Sequence, residues 1–176
     1  MIKIIKIVNG YLEENCYVVH NGTDALVIDP GSEGERIISE IDSNNLNVKA
    51  ILITHYHFDH IGALKDIKER YNVPVIDYNS KETEIELSSF KFKILETFGH
   101  TMDSVSYHFE NDNILFSGDF MFKETIGNYE EKNEIEMIKS LIKFKLLDDK
   151  IEIYPGHGDS TTVAHEKEYN PFLRGI

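Results

Sequence analysis

The fold turns on residues 50–62, Ala50-Ile51-Leu52-Ile53-Thr54-His55-Tyr56-His57-Phe58-Asp59-His60-Ile61-Gly62, and on where this stretch changes character. Its first four residues are apolar and suit a strand buried on both faces, so a strand is expected over Val48–Ile53. Three histidines and an aspartate then fall within six positions, in a chain with only eight histidines. Imidazole nitrogens and carboxylate oxygens are ligands for zinc-like ions. The stretch therefore predicts a metal site at the carboxyl end of a buried strand. His55 and His57 are two apart, so in extended backbone their side chains point the same way and can grip one ion. Asp59 and His60 lie past the turn and can reach another.

Outward from this stretch, strands are expected over Ile2–Val8, Cys16–Val19 and Ala25–Ile28, with Asn21-Gly22 as a hairpin signal. Ser32-x-x-Glu35 reads as a capping box opening a helix over Glu33–Ser43. Ile61, Leu64, Ile67 and Tyr71 space a second helix, which Pro74 ends, and Val73–Ile76 makes a short strand. Asn79–Ser89 reads as an exposed connection with room for a short strand at Ile85 and Leu87. Strands follow at Phe90–Thr97, Val105–Phe109 and Ile114–Ser117, then a loop over Phe120–Glu131. Ile135, Ile138, Leu141, Ile142 and Leu146 mark the apolar face of a helix with a lysine-rich outer side. A strand over Ile151–Tyr154 and a helix over Thr162–Tyr169 complete the chain. Hairpins mixed with strand-helix units suggest two sheets face to face with helices outside both.

Length and composition set limits. The chain has 176 residues, which suits a single domain over 1–176. Its net charge of −13 disfavours nucleic acid and anionic membranes as partners and leaves a small-molecule substrate. One cysteine, Cys16, allows no intrachain disulfide and reads as a buried strand residue. The N-terminus lacks a signal peptide's apolar region and no window reaches the length of a membrane span, so a cytoplasmic location is expected. Oligomeric state is open.

Further candidate ligands sit just past other strands: Gly99-His100-Thr101, Gly118-Asp119, and Pro155-Gly156-His157-Gly158. Parallel strands bring such ends together. Five histidines and two aspartates exceed the four ligands typical of one zinc and suit two ions sharing a carboxylate. Asp119 is the natural bridge, since a carboxylate has two oxygens to offer.

Together these motifs resemble the metallo-β-lactamase superfamily, and within it the hydroxyacylglutathione hydrolase (glyoxalase II)-like branch. The resemblance implies a four-layer αββα sandwich with the site at one edge between the sheets. It assigns His55, His57 and His100 to one ion and Asp59, His60 and His157 to another, with Asp119 bridging. Asp29, in Asp29-Pro30-Gly31, matches a motif that supports the ligands from behind. The implied cofactors are two divalent ions, zinc first, with iron or manganese as alternatives. The implied activity is metal-dependent hydrolysis of a thioester by a dimetal-bridging hydroxide, which Asp59 orients. Mononuclear-iron persulfide dioxygenases resemble the same motif, with His55, His100 and Asp119 as the iron ligands; lactonases are a further alternative. Nine residues past Asp119, where the family carries a basic residue for an anionic substrate group, this chain has Asn128. Lys123, Asn128 and Tyr129, all in the Phe120–Glu131 loop, are the candidate substrate contacts.

Overall fold

The computed structural model describes residues 2–176. The first sheet holds β1 (Lys3–Asn9), β2 (Glu14–His20), β3 (Asp24–Ile28), β4 (Asn47–Leu52) and β5 (Val75–Ile76), side by side in chain order. The first three strands are antiparallel, whereas β3, β4 and β5 run parallel. Helices α1 (Gly34–Ser43) and α3 (Leu64–Tyr71) make the crossovers, and the single turn α2 (Phe58–Ile61) follows β4.

The second sheet is built from β6 (Glu84–Leu87), β7 (Phe90–Glu96), β8 (Val105–Phe109), β9 (Ile114–Gly118), β12 (Glu152–Pro155) and β13 (Thr161–Thr162). Its order is β13-β12-β9-β8-β7-β6, with β12 parallel to β9. A small hairpin, β10 (Met121–Phe122) and β11 (Thr125–Ile126), stands apart. Helices α4 (Glu134–Phe144) and α5 (Val163–Tyr169) complete the chain's regular structure.

Alternation along the strands sorts side chains into three apolar layers. Tyr17, Val19, Leu26, Ile28 and Leu52 of the first sheet meet Phe92, Tyr107, Phe109 and Phe116 of the second in a central core. The opposite faces of the same strands, through Cys16, Val18, Val27 and Ile51, pack under Ile37 and Ile41 of α1 and Ile67 of α3. Leu115 and Ile153 of the second sheet pack under Met137, Leu141 and Phe144 of α4. The layers are helices, sheet, sheet, helices, as expected. Burial of β4 on both faces explains its unbroken apolar run.

Several local expectations are corrected. Ser32 does not cap α1: Glu33 takes the N-cap position in the left-handed region (φ 54°), with no side-chain cap. The second helix starts earlier and breaks at Gly62-Ala63 into α2 and α3. The Phe120–Glu131 loop contains the β10–β11 hairpin, whereas the short strand allowed within Asn79–Ser89 is present as β6. The largest correction is in α4. Of the residues with core-face spacing, only Leu141 is buried; Ile135, Ile138, Ile142 and Leu146 are exposed, and Met137, Ser140 and Phe144 face the sheet.

Five strands deliver their carboxyl ends to one edge. β3 and β4 of the first sheet end in Asp29 and in Thr54-His55. In the second sheet β7, β9 and β12 lead to His100, Asp119 and His157. The Val105 N–H donates to the Thr54 carbonyl at 2.8 Å and ties the two sheets together beside this edge.

Candidate metal centre

Of three groups of possible ligand atoms at the edge, one joins Asp29 to His55 and His60, and the other two hold the expected ligands. Within each, the candidate atoms lie within 4.8 Å of one another: His55, His57 and His100 in the first, Asp59, His60 and His157 in the second. Asp119 stands between them. Its Oδ1 is 3.3 Å from His60 Nε2, and its Oδ2 is 3.7 Å from His100 Nε2 and 3.6 Å from His157 Nε2. All seven residues expected as ligands are thus brought together.

Hydrogen bonds behind the rings decide which nitrogen each histidine presents. The His100 Nδ1–H donates to the Asn128 carbonyl at 2.5 Å, and the His157 Nδ1–H to the Leu12 carbonyl at 3.1 Å. His60 Nδ1–H donates to Asp29 Oδ2 at 2.9 Å. Thr54 Oγ1 gives its hydrogen to Asp29 Oδ2 at 2.6 Å and so accepts from His55 Nδ1 at 3.1 Å. In each case the Nε2 lone pair is left facing inward. His57 instead presents Nδ1, which lies 3.1 Å from His55 Nε2 and 3.0 Å from His100 Nε2. Three ring nitrogens this close cannot all carry hydrogens; three lone pairs converging on a cation fit the spacing. In the second group His60 Nε2 and Asp119 Oδ1 are buried and complete no hydrogen bond. The donor set fits divalent ions of the zinc and iron kind.

The charges agree. Burial pushes the His55 imidazole down to about 2, with the His60 charge adding to the effect, so His55 is a neutral ligand. Burial opposes a charge on His60, yet the nearby Asp119 and Asp29 carboxylates outweigh it and raise this group to about 11, so without a metal a proton holds the place on Nε2 that a cation would take. Burial also opposes ionisation of Asp119, but His60 holds its carboxyl down at about 2. Carboxylates on both sides of His60 favour positive charge at this spot.

Asp29 supports the centre from below. It is buried, sits at φ 47°, and accepts the Thr54 N–H at 2.7 Å as well as the Thr54 hydroxyl and His60. A short-side-chain aspartate tolerates this left-handed conformation better than most residues. Close approach of backbone is equally necessary. A Cβ on Gly156 would lie 2.2 Å from Asp119 Oδ1 and 2.6 Å from His60 Cε1, and one on Gly31 would lie 1.8 Å from the Asp59 carbonyl.

Glu14 joins the centre without a sequence signal. Its carboxyl is buried without a hydrogen-bond partner, 4.0 Å from His60 Nδ1. Burial, reinforced by Asp29, raises it to about 10, so it is held neutral. Nothing in the motif pattern marks it: it is the second acid of Glu13-Glu14 and looks like a hairpin-loop residue. Its neighbour Asn15 is similarly cryptic and donates to the Pro155 and Gly158 carbonyls on either side of His157.

The candidate substrate contacts are dispersed. Asn128 is exposed and acts through its carbonyl on His100. Lys123 is exposed in the β10–β11 turn, and Tyr129 packs against the outer core under α4 rather than the metal centre. Beside Asp59 opens a hollow of about 300 Å³ with Tyr11, Leu12 and Phe58 in its walls. Cys16 is buried, and burial raises its thiol well above the ordinary range.

The profile of the Metallo-beta-lactamase superfamily matches residues 10–85 and 80–157. The chain belongs to this superfamily. It is 32% identical to a probable metallo-hydrolase of Streptococcus pyogenes, over 98% of this chain and 91% of that protein. It is also 32% identical to the hydroxyacylglutathione hydrolase GloC of Haemophilus influenzae, over 92% and 93%. Among solved structures it resembles the BLEG-1 B3 metallo-beta-lactamase, with TM-score 0.92 and 28% identity over 99% of this chain and 100% of that one. The di-iron-bound form of TTHA1623 is similar at TM-score 0.86 and 28% identity, over 96% and 100%. The chain is therefore a metallo-hydrolase-superfamily protein with a histidine and aspartate cluster suited to two metal ions. Among the described residues no helix is long and apolar enough to cross a membrane.

Proposed function

We propose that this protein hydrolyses acyl thioesters at a two-metal centre, with His55, His57 and His100 on one ion, Asp59, His60 and His157 on the other, and Asp119 between. The observation that carries this reading is the convergence of inward-facing lone pairs in two groups that meet at one carboxylate. Similarity to a hydroxyacylglutathione hydrolase supports the thioester as substrate. Bound metals supply Lewis acidity and lower the pKa of water, giving a nucleophile near neutral pH.

The chain's own groups do the rest. Asp59 Oδ2, 3.2 Å from His157 Nε2, lies where it can orient the attacking water and hold its proton. The Asn128 carbonyl, Leu12 carbonyl and Asp29 carboxylate fix the rings of His100, His157 and His60, so little reorganisation accompanies reaction. Tyr11, Leu12 and Phe58 offer an apolar wall for the acyl group beside Asp59. No side-chain nucleophile is required, consistent with a buried, unreactive Cys16. With Asn128 at the family's basic position and an acidic chain, a thiol carrier less anionic than glutathione suits this centre better.

The test is thioester turnover by metal-loaded protein across carriers of different charge. His57→Ala and Asp119→Ala should each abolish turnover while circular dichroism is unchanged; undiminished activity in either would overturn the proposal. Metal analysis tests the iron alternative. One iron per chain and sulfite formed from a persulfide would establish that reading, which leaves His57, Asp59, His60 and His157 without an ion. A β-lactam and a lactone belong in the same panel, given the likeness to BLEG-1.

A further inference from the structure

Helix α4 is apolar on two opposite faces. One packs on the second sheet through Met137, Leu141 and Phe144. The other carries Ile135, Ile138 and Ile142, with Leu146 in the turn that follows, and these are 67%, 41%, 47% and 83% exposed. The spacing of three, four and four is that of a helix-packing seam. Aliphatic side chains repeated along an outward helix face differ from scattered exposed residues and mark a contact surface.

Charge identifies what fits there. Over residues 131–146 three glutamates stand against four lysines, in a chain whose net charge is −13. The strip is thus close to neutral, and two copies can meet across it without the repulsion that the net charge of the chain would otherwise bring. The charges are also ordered along the helix: Glu131, Glu134 and Glu136 lie at its amino end, and Lys143 and Lys145 at its carboxyl end. Such an order complements itself only when two helices run antiparallel, as a two-fold axis requires. Centring the axis on Ser140 places Ile138 against Ile142 of the second copy and Ile135 beside its Leu146. The same register sets Glu136 beside Lys143 on one flank, while on the other Lys145 already donates to the Leu173 and Ile176 carbonyls of its own chain. Among the described residues Glu134 and Lys143 have no ion-pair partner within the chain, whereas Glu136 pairs locally with Lys139 at 2.7 Å.

We propose that the outward face of α4 binds the same face of a second copy, with the two helices antiparallel about a two-fold axis. The seam is about 16 Å long at the rise of an α-helix. One helix face of that length covers less than the ~800 Å² per partner of a standard interface unless flanking surface joins in, so the dimer is a dissociable one. None of the candidate metal ligands lies on α4, whose inner face packs on Phe98 and Gly99.

Sedimentation velocity over a range of protein concentrations tests this. The wild-type protein should shift reversibly from monomer to dimer. Ile138→Glu with Ile142→Glu, at exposed positions that leave the core intact, should raise the dissociation constant more than about a hundredfold. Folding is checked by circular dichroism and metal content. Glu136→Lys and Lys143→Glu should each weaken the dimer about fivefold at low salt, and combining them should restore it. Restoration occurs only if the two residues meet across the interface in this register. A monomer at every concentration, a dimer indifferent to the isoleucine substitutions, or a charge swap without rescue would overturn the proposal. So would monomeric protein that uses Ile138 and Ile142 to bind phosphatidylserine vesicles, which would make this a membrane-facing surface.

Discussion

Asp29→Asn separates the two halves of the metal centre. Asp29 accepts three hydrogen bonds: from the Thr54 N–H on Oδ1 at 2.7 Å, and from the Thr54 hydroxyl and His60 Nδ1 on Oδ2 at 2.6 and 2.9 Å. Asparagine keeps the shape and tolerates the left-handed backbone, so the turn survives. It has one oxygen, however, and must turn an amide group toward one set of donors. If the amide faces His60, the ring must accept on Nδ1 and carry its hydrogen on Nε2, the nitrogen that faces Asp119. If it faces the Thr54 N–H, two donors oppose each other in a buried place. Either way about two charge-assisted hydrogen bonds are lost, each worth ~1.5–3 kcal/mol, and stability should fall by about 3 kcal/mol. Loss of such a ring-orienting partner typically weakens metal binding by about 10–100-fold. The loss should fall mainly on the Asp59, His60, His157 group, because Asp29 bonds His60 directly and reaches His55 only through the Thr54 hydroxyl. Titration of chelator-stripped protein with zinc by calorimetry reads this directly: one event weakened much more than the other. Two events of wild-type affinity in Asp29→Asn would refute the argument that Asp29 sets the His60 tautomer.

Three other outcomes follow from the same geometry. Gly156→Ala should leave the sheets folded but cut metal content sharply by elemental analysis, because its methyl would enter the space between Asp119 Oδ1 and His60. Tyr107→Phe should lower stability by about 1–2 kcal/mol in urea unfolding with metal stoichiometry unchanged, since its hydroxyl, between the Ile53 and Ile76 carbonyls, links the second sheet to the first. Glu14→Gln should change the pH profile of chelator-treated protein. Burial, then Asp29, raise the Glu14 carboxyl to about 10 from an ordinary 4.5, so the folded state keeps a proton that the unfolded chain has released. The wild-type stability from this group is full below the ordinary value and lost as pH rises toward the raised one. The advantage of Glu14→Gln should therefore grow from about pH 5 to about pH 9, and parallel melting profiles would refute it.

Much of this architecture is legible in the sequence because burial imposes period. The unbroken apolar run of β4 announces a strand covered on both faces, and the histidines behind it announce the edge where parallel strands end. The four ligand segments are legible for the same reason, each standing where a strand stops. The supporting groups are not. Glu14 and Asn15 gain their roles only because the β1–β2 hairpin folds over the His157 turn, more than 140 residues later in the chain, with Asn15 bonded to Pro155 and Gly158. Helix α4 misleads for a different reason. Ile135, Ile138, Ile142 and Leu146 have a core face's period, and periodicity reveals that a face is apolar without revealing what covers it.

The two ligand groups are held by different parts of the chain, and this bears on how the centre fills. His55 and His57 follow β4, and His100 follows β7; the Thr54 carbonyl joins these regions directly through the Val105 N–H. The first group is therefore fixed wherever the two sheets are packed. The second group depends on the β1–β2 hairpin as well. His157 is oriented by the Leu12 carbonyl, its turn is gripped by Asn15 and by the Tyr17 hydroxyl at 2.6 Å, and His60 rests on Asp29 beside Glu14. A site with more of its support in a hairpin loop costs more to order when an ion binds. Stepwise loading follows, with the His55, His57, His100 group filled first and Asp119 already in place to meet the second ion. Truncating Leu12 should leave its carbonyl and the first event intact, while Asn15→Ala, which frees the His157 turn, should weaken the second event alone.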